Sequence, residues 1–185
     1  EEVELFLNGV SQGRKKMPKN SHLEWKVKYA PGTLLAKGYN GGKEILTETI
    51  ETTGAPTAVH LEPNHAMLKA DGEDVAIITV SVADAQSRLV PDAANKIHFE
   101  LAGPGKILGV GNGDPSSHEP DVYLSTGTNA PDWQRSLFSG LAQIIVQSTK
   151  EPGEIKLTAR ADGLTPFVLT IPSQPATPRP AVAAE

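Results

Sequence analysis

Four side chains that could bind a metal ion or transfer a proton lie within eight positions of the sequence. They are Asp114, His118, Glu119 and Asp121, in the segment GVGNGDPSSHEPD that starts at Gly109. Carboxylates combined with a histidine are common in metal sites and in general acid–base catalysis. This segment is therefore the first candidate for chemistry.

The spacing of these residues favours neither a metal site nor a phosphate site. A zinc hydrolase would place two histidines four residues apart on a helix, and a calcium loop would follow the EF-hand spacing of oxygen ligands. The glycines at 109, 111 and 113 precede a turn that contains Pro115, whereas a phosphate-binding glycine loop opens a helix. We predict no metal or cofactor site here, and a structural loop whose side chains hydrogen-bond within their own turn.

Two hydrolytic mechanisms are also disfavoured. Glycosidic cleavage needs two carboxylates about 5 to 9.5 Å apart across a sugar-binding cleft, and proximity of Glu119 to Asp114 or Asp121 in sequence does not make a cleft. The serines at 116 and 117 adjoin His118, but adjacent side chains rarely point at each other, and no strand–turn–helix elbow surrounds them. The sequence predicts no catalytic residue in this chain.

Trp133 is the aromatic residue that most indicates a contact surface. It lies in TNAPDWQRS, a polar stretch with no alternation that would bury it. Trp25 and Tyr29, in contrast, share the apolar face of an alternating segment, so we expect them to pack in a core. The candidate surface for docking other domains or contacting sugar consists of Asp114, His118, Glu119 and Trp133.

The elements that would position these residues are β-strands. VELFLNG alternates from Val3 and meets Asn8-Gly9, a strong hairpin signal. LEWKVKY, residues 23–29, has a period of two and is the clearest strand by pattern, with Trp25 as its core anchor. TLLAKGY and KEILTETIET follow after turn residues, so we predict four or five strands before Gly54-Ala55-Pro56.

Residues 1–54 contain too few strands for a complete sandwich, which takes about seven strands and roughly 100 residues. We therefore expect this block to be the back half of a domain whose first strands lie upstream of Glu1.

Residues 55–172 predict a second all-β unit with seven strands. VAIITVSVAD, for example, alternates Ala76, Ile78, Val80 and Val82 with Ile77 and polar residues. Turn residues recur between the strands and no segment has a helical period, so a β-sandwich is the economical interpretation. Residues 173–185, rich in Pro and Ala, predict an extended tail without a fold.

The composition of the chain disfavours several classes of binding partner. The chain has 185 residues, with 17 basic and 22 acidic side chains and a net charge of −5, which disfavours nucleic acid and anionic lipid. No uninterrupted apolar run exceeds four residues, whereas a membrane span needs about 18. The absence of cysteine removes disulfides, thiol nucleophiles and zinc–cysteine sites, and fits either the cytosol or an oxidising compartment.

Four stretches carry a resemblance to a known family over residues 1–172: VELFLNG, GRKKMPKNSHLEWKVKYAPGTLLAKGY, GPGKILGVGNGDPSSHEPD and LAQIIVQS. The chain resembles the C-terminal region of a bacterial glycoside hydrolase family 2 enzyme of the β-galactosidase type. Residues 1–54 resemble the end of an immunoglobulin-like domain that follows the catalytic barrel. Residues 55–172 resemble the fifth, C-terminal immunoglobulin-like domain, and the departure from the family pattern lies mainly in the stretch 122–136.

The resemblance implies immunoglobulin-like β-sandwiches, the first truncated at its N-terminus. It also implies a parent enzyme, periplasmic or secreted, with a sugar-binding jelly roll and a (β/α)₈ barrel that holds two catalytic glutamates. None of those catalytic motifs occurs here, so no catalytic residue transfers to this chain. Two functions remain open: an accessory module partnered by the other domains of a retaining β-galactosidase, and a free-standing immunoglobulin-like adhesion or carbohydrate-binding module.

Overall fold

The computed structural model of the protein describes residues 1–124 and 131–177, and within them the regular structure is entirely β. The chain folds as two compact units, Glu1–Thr53 and Gly54–Glu185. None of the described residues forms a helix long and apolar enough to cross a membrane. The all-β fold class predicted from the sequence is confirmed.

Unit 1, Glu1–Thr53, is one antiparallel sheet of four strands in the order β2-β1-β3-β4. Its strands are β1 (Glu2–Leu7), β2 (Val10–Lys16), β3 (Thr33–Asn40) and β4 (Lys43–Glu51). Asn8 and Gly9 join β1 to β2 with φ angles of 49° and 78°. Two successive left-handed residues make the tight hairpin turn that the Asn-Gly pair predicts.

The segment 23–29, predicted as the clearest strand, is not one. Side-chain exposure does alternate along part of the segment, since Leu23, Trp25 and Val27 are half-buried between exposed residues. The backbone, however, joins no sheet of the described residues, and Tyr29 is 77% exposed. The Trp25 indole Nε1 instead donates a 3.0 Å hydrogen bond to the carbonyl of Gly13 in β2. A side chain and not a backbone ladder attaches this segment, so the prediction that Trp25 and Tyr29 are core residues was wrong.

Unit 2, Gly54–Glu185, contains nine strands in the described residues, arranged in two sheets. They are β5 (Ala58–Pro63), β6 (Leu68–Ala70), β7 (Val75–Ala83), β8 (Lys96–Ala102), β9 (Gly105–Gly111), β10 (Trp133–Ser136), β11 (Leu141–Ser148), β12 (Gly153–Arg160) and β13 (Phe167–Pro175). One sheet has the order β10-β8-β12-β13-β6 and the other β5-β7-β11-β9.

The core of unit 2 consists of side chains from both sheets. On β7 the four alternating residues Ala76, Ile78, Val80 and Val82 are all 0% exposed, as the period of two predicts. In the same sheet β11 contributes Ile144, and across the interior β12 of the other sheet contributes Ile155 and Leu157, all equally buried. Burying apolar surface at roughly 25 cal/mol per Å² makes this core the main source of the stability of unit 2.

The last strand continues into the segment predicted to have no fold. β13 reaches Pro175 because β6, which the sequence analysis missed, pairs with it in parallel, with Ser173 opposite Leu68. The Ser173 hydroxyl also donates to the Gly153 carbonyl and accepts from the Gly153 amide, at 3.1 and 3.0 Å. Residues 173–175 therefore belong to the sheet. Residues 178–185 of the predicted tail lie outside the described residues.

Candidate functional site

The candidate residues lie on the connection between β9, which ends at Gly111, and β10, which begins at Trp133. Residues 125–130 of this connection lie outside the described residues. The described part of the connection is hydrogen-bonded to the strands on either side. The amide of Val110 in β9 donates to the carbonyl of Asp121 at 2.9 Å, and the Tyr123 hydroxyl donates to the carbonyl of Gln134 in β10 at 3.1 Å.

Arg135 of β10 is the side chain around which the connection is organised. It is 4% exposed, and its Nη1 atom donates to Oδ1 of Asp121 at 2.8 Å and to the carbonyl of Glu119 at 3.0 Å. Its Nη2 atom donates to Oδ1 of Asn112 at 3.1 Å. A buried guanidinium needs such partners because an uncompensated buried charge costs several kcal/mol, roughly 3 to 5.

The carboxylate of Glu119 accepts hydrogen bonds from β10. Its Oε2 atom accepts the Ser136 amide at 2.9 Å and its Oε1 atom accepts the Ser136 hydroxyl at 2.8 Å, with Lys96 Nζ at 3.5 Å. Partial burial raises the pKa of Glu119, but the Ser136 hydrogen bonds and Lys96 outweigh it, so the pKa lies below its ordinary value. A general acid at neutral pH needs the opposite shift. Glu119 acts here as a structural hydrogen-bond acceptor.

Asp114 is held within its own turn. Its Oδ1 atom accepts the Ser116 amide at 2.8 Å and the Ser116 hydroxyl at 2.7 Å, and these bonds lower the pKa of Asp114. The predicted pattern of bonding within one turn therefore fits Asp114. It does not fit Glu119 or Asp121, which reach across to β10 because Arg135 and Ser136 offer donors there.

Trp133 and His118 differ in exposure. His118 is exposed, whereas Trp133 is half-buried, packs against the core, and meets the Tyr123 ring edge-on at a centroid distance of 5.4 Å. The sequence pattern gives no reason to bury Trp133, and the contact comes from Tyr123, ten residues earlier, which follows no pattern of its own. No contact among the described residues links all four candidate side chains. Their joint role as a contact surface therefore stays a prediction.

The residues that hold this site together were not predicted from the sequence. Arg135, Asn112 and Ser136 link the connection to β10, and Asn112 Nδ2 also donates to the Ser136 carbonyl at 2.8 Å. One sequence feature could have indicated them: Arg135 lies in a short stretch with few apolar residues, and several acidic residues that could neutralise it precede it in the chain. Among residues 1–124 and 131–177, no three His, Asp or Glu side chains are grouped to hold a metal ion.

Comparison with known proteins identifies the family of unit 2. A family model described as "Glycoside hydrolase family 2 C-terminal domain 5" matches residues 59–170, which is more than half of the chain. This chain belongs to glycoside hydrolase family 2. A second model, described as a domain of unknown function, matches residues 1–46 of this family 2 chain. The resemblance drawn from the sequence is confirmed.

Relatives of this family 2 chain are much longer than it is. Beta-galactosidase BoGH2A of Bacteroides ovatus is 39% identical over 94% of this chain and 20% of its own length. A putative beta-glucuronidase of Formosa agariphila is 31% identical over 87% of this chain and 15% of its own. The chain therefore spans about a fifth or less of the curated relatives it matches.

A solved structure supports the same assignment. The crystal structure of a glycosyl hydrolase family 2 member from Bacteroides cellulosilyticus superposes with a TM-score of 0.83 at 34% identity. That alignment covers 94% of this chain and 22% of the solved chain. Homologues of this chain are thus parts of larger family 2 glycosidases.

Proposed function

We propose that this chain is a non-catalytic accessory β-sandwich region of a retaining glycosidase and that it supports domain packing around the catalytic barrel. The observation that carries the proposal is the bonding of Glu119. Both of its carboxylate oxygens accept hydrogen bonds from Ser136, whereas a catalytic carboxylate pair faces a sugar across an open cleft. The match to a C-terminal domain of family 2 supports the same role.

The parent enzyme, in this proposal, hydrolyses terminal β-D-galactosides. The supporting observation is that the relative at 39% identity is named a beta-galactosidase. A β-glucuronidase is the second candidate, because relatives at 31% and 28% identity carry that name. Initial rates of the full-length parent on a chromogenic β-galactoside and on the matched β-glucuronide test the choice. Preference for the glucuronide would overturn the substrate and leave the accessory role intact.

The surface formed by Asp114, His118, Glu119 and Trp133 is proposed to dock against other domains of the parent. Interfaces between domains of one chain are more polar than obligate interfaces and often contain an aromatic residue. The connection and the start of β10 have that composition, with an exposed histidine, His118, and a half-buried tryptophan, Trp133. Glu119 and Asp114 contribute by fixing the backbone that presents these two rings.

A charge change at His118 tests the docking role. His118→Glu should lower the melting temperature of the parent enzyme by more than that of the isolated chain, because the side chain is exposed in unit 2 and has only the Asp114 carboxylate to repel there. His65→Glu, at another exposed histidine of unit 2, is the matched control. Equal melting temperatures for the parent, His118→Glu and His65→Glu would argue against docking through this surface.

Carbohydrate binding through Trp133 is the alternative role for the same surface. Titration of the isolated chain with galactose, lactose and galactan oligosaccharides, followed by tryptophan fluorescence, separates the two. The chain has only two tryptophans, so Trp133→Ala leaves Trp25 as an internal reference. A saturable change at millimolar or lower sugar that disappears in Trp133→Ala would favour a carbohydrate-binding module. An unchanged spectrum would argue against the carbohydrate-binding role.

A further inference from the structure

Three asparagines of the chain, Asn8, Asn40 and Asn112, are each followed by a glycine. In such a pair the backbone nitrogen of the glycine can attack the Cγ atom of the asparagine, because glycine has no side chain to obstruct the approach. A C–N bond forms, ammonia leaves, and water then opens the five-membered succinimide ring to give aspartate or isoaspartate. The three pairs are equivalent by sequence, but their surroundings in the structure differ.

The Asn8 side chain is held by two hydrogen bonds, although it lies in an exposed turn. Its Nδ2 atom donates to the carbonyl of Pro31 at 3.0 Å, and its Oδ1 atom accepts the amide of Thr33 at 2.7 Å. Both ends of the side-chain amide are therefore attached to the start of β3. The Cγ atom cannot turn toward the nitrogen of Gly9 without breaking these two bonds.

The Asn112 side chain is held by three hydrogen bonds and is half-buried. Its Nδ2 atom donates to the carbonyl of Ser136 at 2.8 Å. Its Oδ1 atom accepts the Arg135 Nη2 atom and the amide of Asp114, both at 3.1 Å. Attack by the nitrogen of Gly113 would require Asn112 to leave all three partners.

Asn40 has no such restraint. It is the last residue of β3, it is exposed, and it pairs with Lys43 across a two-residue turn of Gly41 and Gly42. The φ angles of these glycines are 57° and 80°, as a tight hairpin turn requires. Among the described residues, no side-chain hydrogen bond restrains Asn40. A Cβ atom on Gly41 would meet no heavy atom within 4 Å, so there is open space beside the attacking nitrogen.

We infer that Asn40 is a site of spontaneous covalent modification, at which the side-chain amide is lost and aspartate or isoaspartate takes its place. Asn8 and Asn112 react more slowly by about tenfold or more, because two or three hydrogen bonds must break before the ring can close. Either product brings a negative charge opposite Lys43. Isoaspartate also adds one carbon atom to the backbone at the end of β3, where the hairpin to β4 begins.

Peptide mapping of the purified chain tests the inference, because the three pairs fall in three different tryptic peptides, 1–14, 38–43 and 107–135. The folded chain is incubated in alkaline buffer made with ¹⁸O-water, and mass spectrometry follows the loss of each original peptide. Peptide 38–43 should convert about tenfold faster than the other two. Its products should contain both aspartate and isoaspartate and should carry one heavy oxygen atom from the opening of the ring. In concentrated urea, where the hydrogen bonds are absent, the three rates should become similar.

Asn40→Gln is the matched control. Glutamine keeps the amide but would have to close a six-membered ring, so peptide 38–43 of this variant should stay unmodified over the same interval. Conversion of peptide 1–14 or 107–135 as fast as that of 38–43 in the folded chain would overturn the inference. A difference in rates that persists in urea would also overturn it, because the cause would then be the sequence and not the structure. Conversion of peptide 38–43 to aspartate without isoaspartate would contradict the cyclic route.

Discussion

The Nη1 atom of Arg135 lies 2.8 Å from Oδ1 of Asp121, and the two side chains differ sharply in exposure, 4% for Arg135 and 75% for Asp121. The guanidinium is thus inside unit 2 while its partner lies at the surface. The Arg135 Nε atom is buried without a hydrogen-bond acceptor, 3.8 Å from Oε2 of Glu119. This arginine attaches the connection between β9 and β10 to the sandwich.

Replacing Arg135 should loosen that connection. Arg135→Met keeps the aliphatic part of the side chain and removes three donated hydrogen bonds, to Asp121, to the Glu119 carbonyl and to Asn112. We expect a loss of about 2 to 4 kcal/mol in the free energy of unfolding of unit 2, below the upper range for broken buried pairs because the acceptors can reach water. Urea denaturation measures it.

Asp121→Asn is the control for the arginine substitution. Its side chain is exposed, and exposed ion pairs contribute about 0 to 1 kcal/mol. A loss in Asp121→Asn as large as that in Arg135→Met would mean that the ion pair, and not the buried guanidinium, holds the connection.

Acid should destabilise unit 2 in part through Asp84. Arg88 donates two hydrogen bonds to Oδ2 of Asp84 at 2.7 and 2.9 Å, and the Gly54 amide donates a third at 2.8 Å. The Arg88 guanidinium and then the backbone amides hold the pKa of Asp84 well below its ordinary value. The folded state therefore binds the proton more weakly than the unfolded chain. Its stabilising contribution is complete above about pH 4 and is lost as the pH falls below that value.

Asp84→Asn checks this dependence. Urea midpoints of the wild type and of Asp84→Asn are measured at pH 7, 4 and 3. At pH 7 the midpoint of Asp84→Asn should be lower than that of the wild type. Between pH 4 and pH 3 it should fall less steeply than the wild-type midpoint. Asp162→Asn, at an exposed position of the same unit, should leave the acid dependence unchanged. An acid limb in Asp84→Asn as steep as in the wild type would contradict the assignment.

The glycines that precede the candidate surface should differ in their tolerance of a side chain. A Cβ on Gly111 would meet no heavy atom within 4 Å, and neither Gly109 nor Gly111 has a left-handed φ. A Cβ on Gly109 would lie 3.1 Å from the Asp121 carbonyl oxygen. We expect Gly111→Ala to be within about 0.5 kcal/mol of wild type and Gly109→Ala to cost more, since backbone must shift. Thermal unfolding of the two variants measures the difference. A larger loss of stability in Gly111→Ala than in Gly109→Ala would contradict this prediction.

The sequence predicted those elements in which local pattern and burial agree. On β7, Ala76 to Val82 alternate and are buried as predicted, and Asn8-Gly9 forms the predicted hairpin. The pattern at 23–29 is equally regular, yet no strand among the described residues pairs with it, and alternation alone does not specify a pairing partner. β10 was not predicted because its inward residue Arg135 is charged, and its burial depends on acceptors some 15 residues earlier, the Glu119 carbonyl and the Asp121 carboxylate.

Hydrolysis assays on the isolated chain and on the full-length parent enzyme test whether this chain is a non-catalytic region of a glycosidase. With a chromogenic β-galactoside, we predict turnover by the parent and none by the isolated chain, because Glu119 is bonded to Ser136 and not directed into a cleft. Turnover by the purified chain that disappears in Glu119→Ala would contradict the account, as would a parent protein without glycosidase activity.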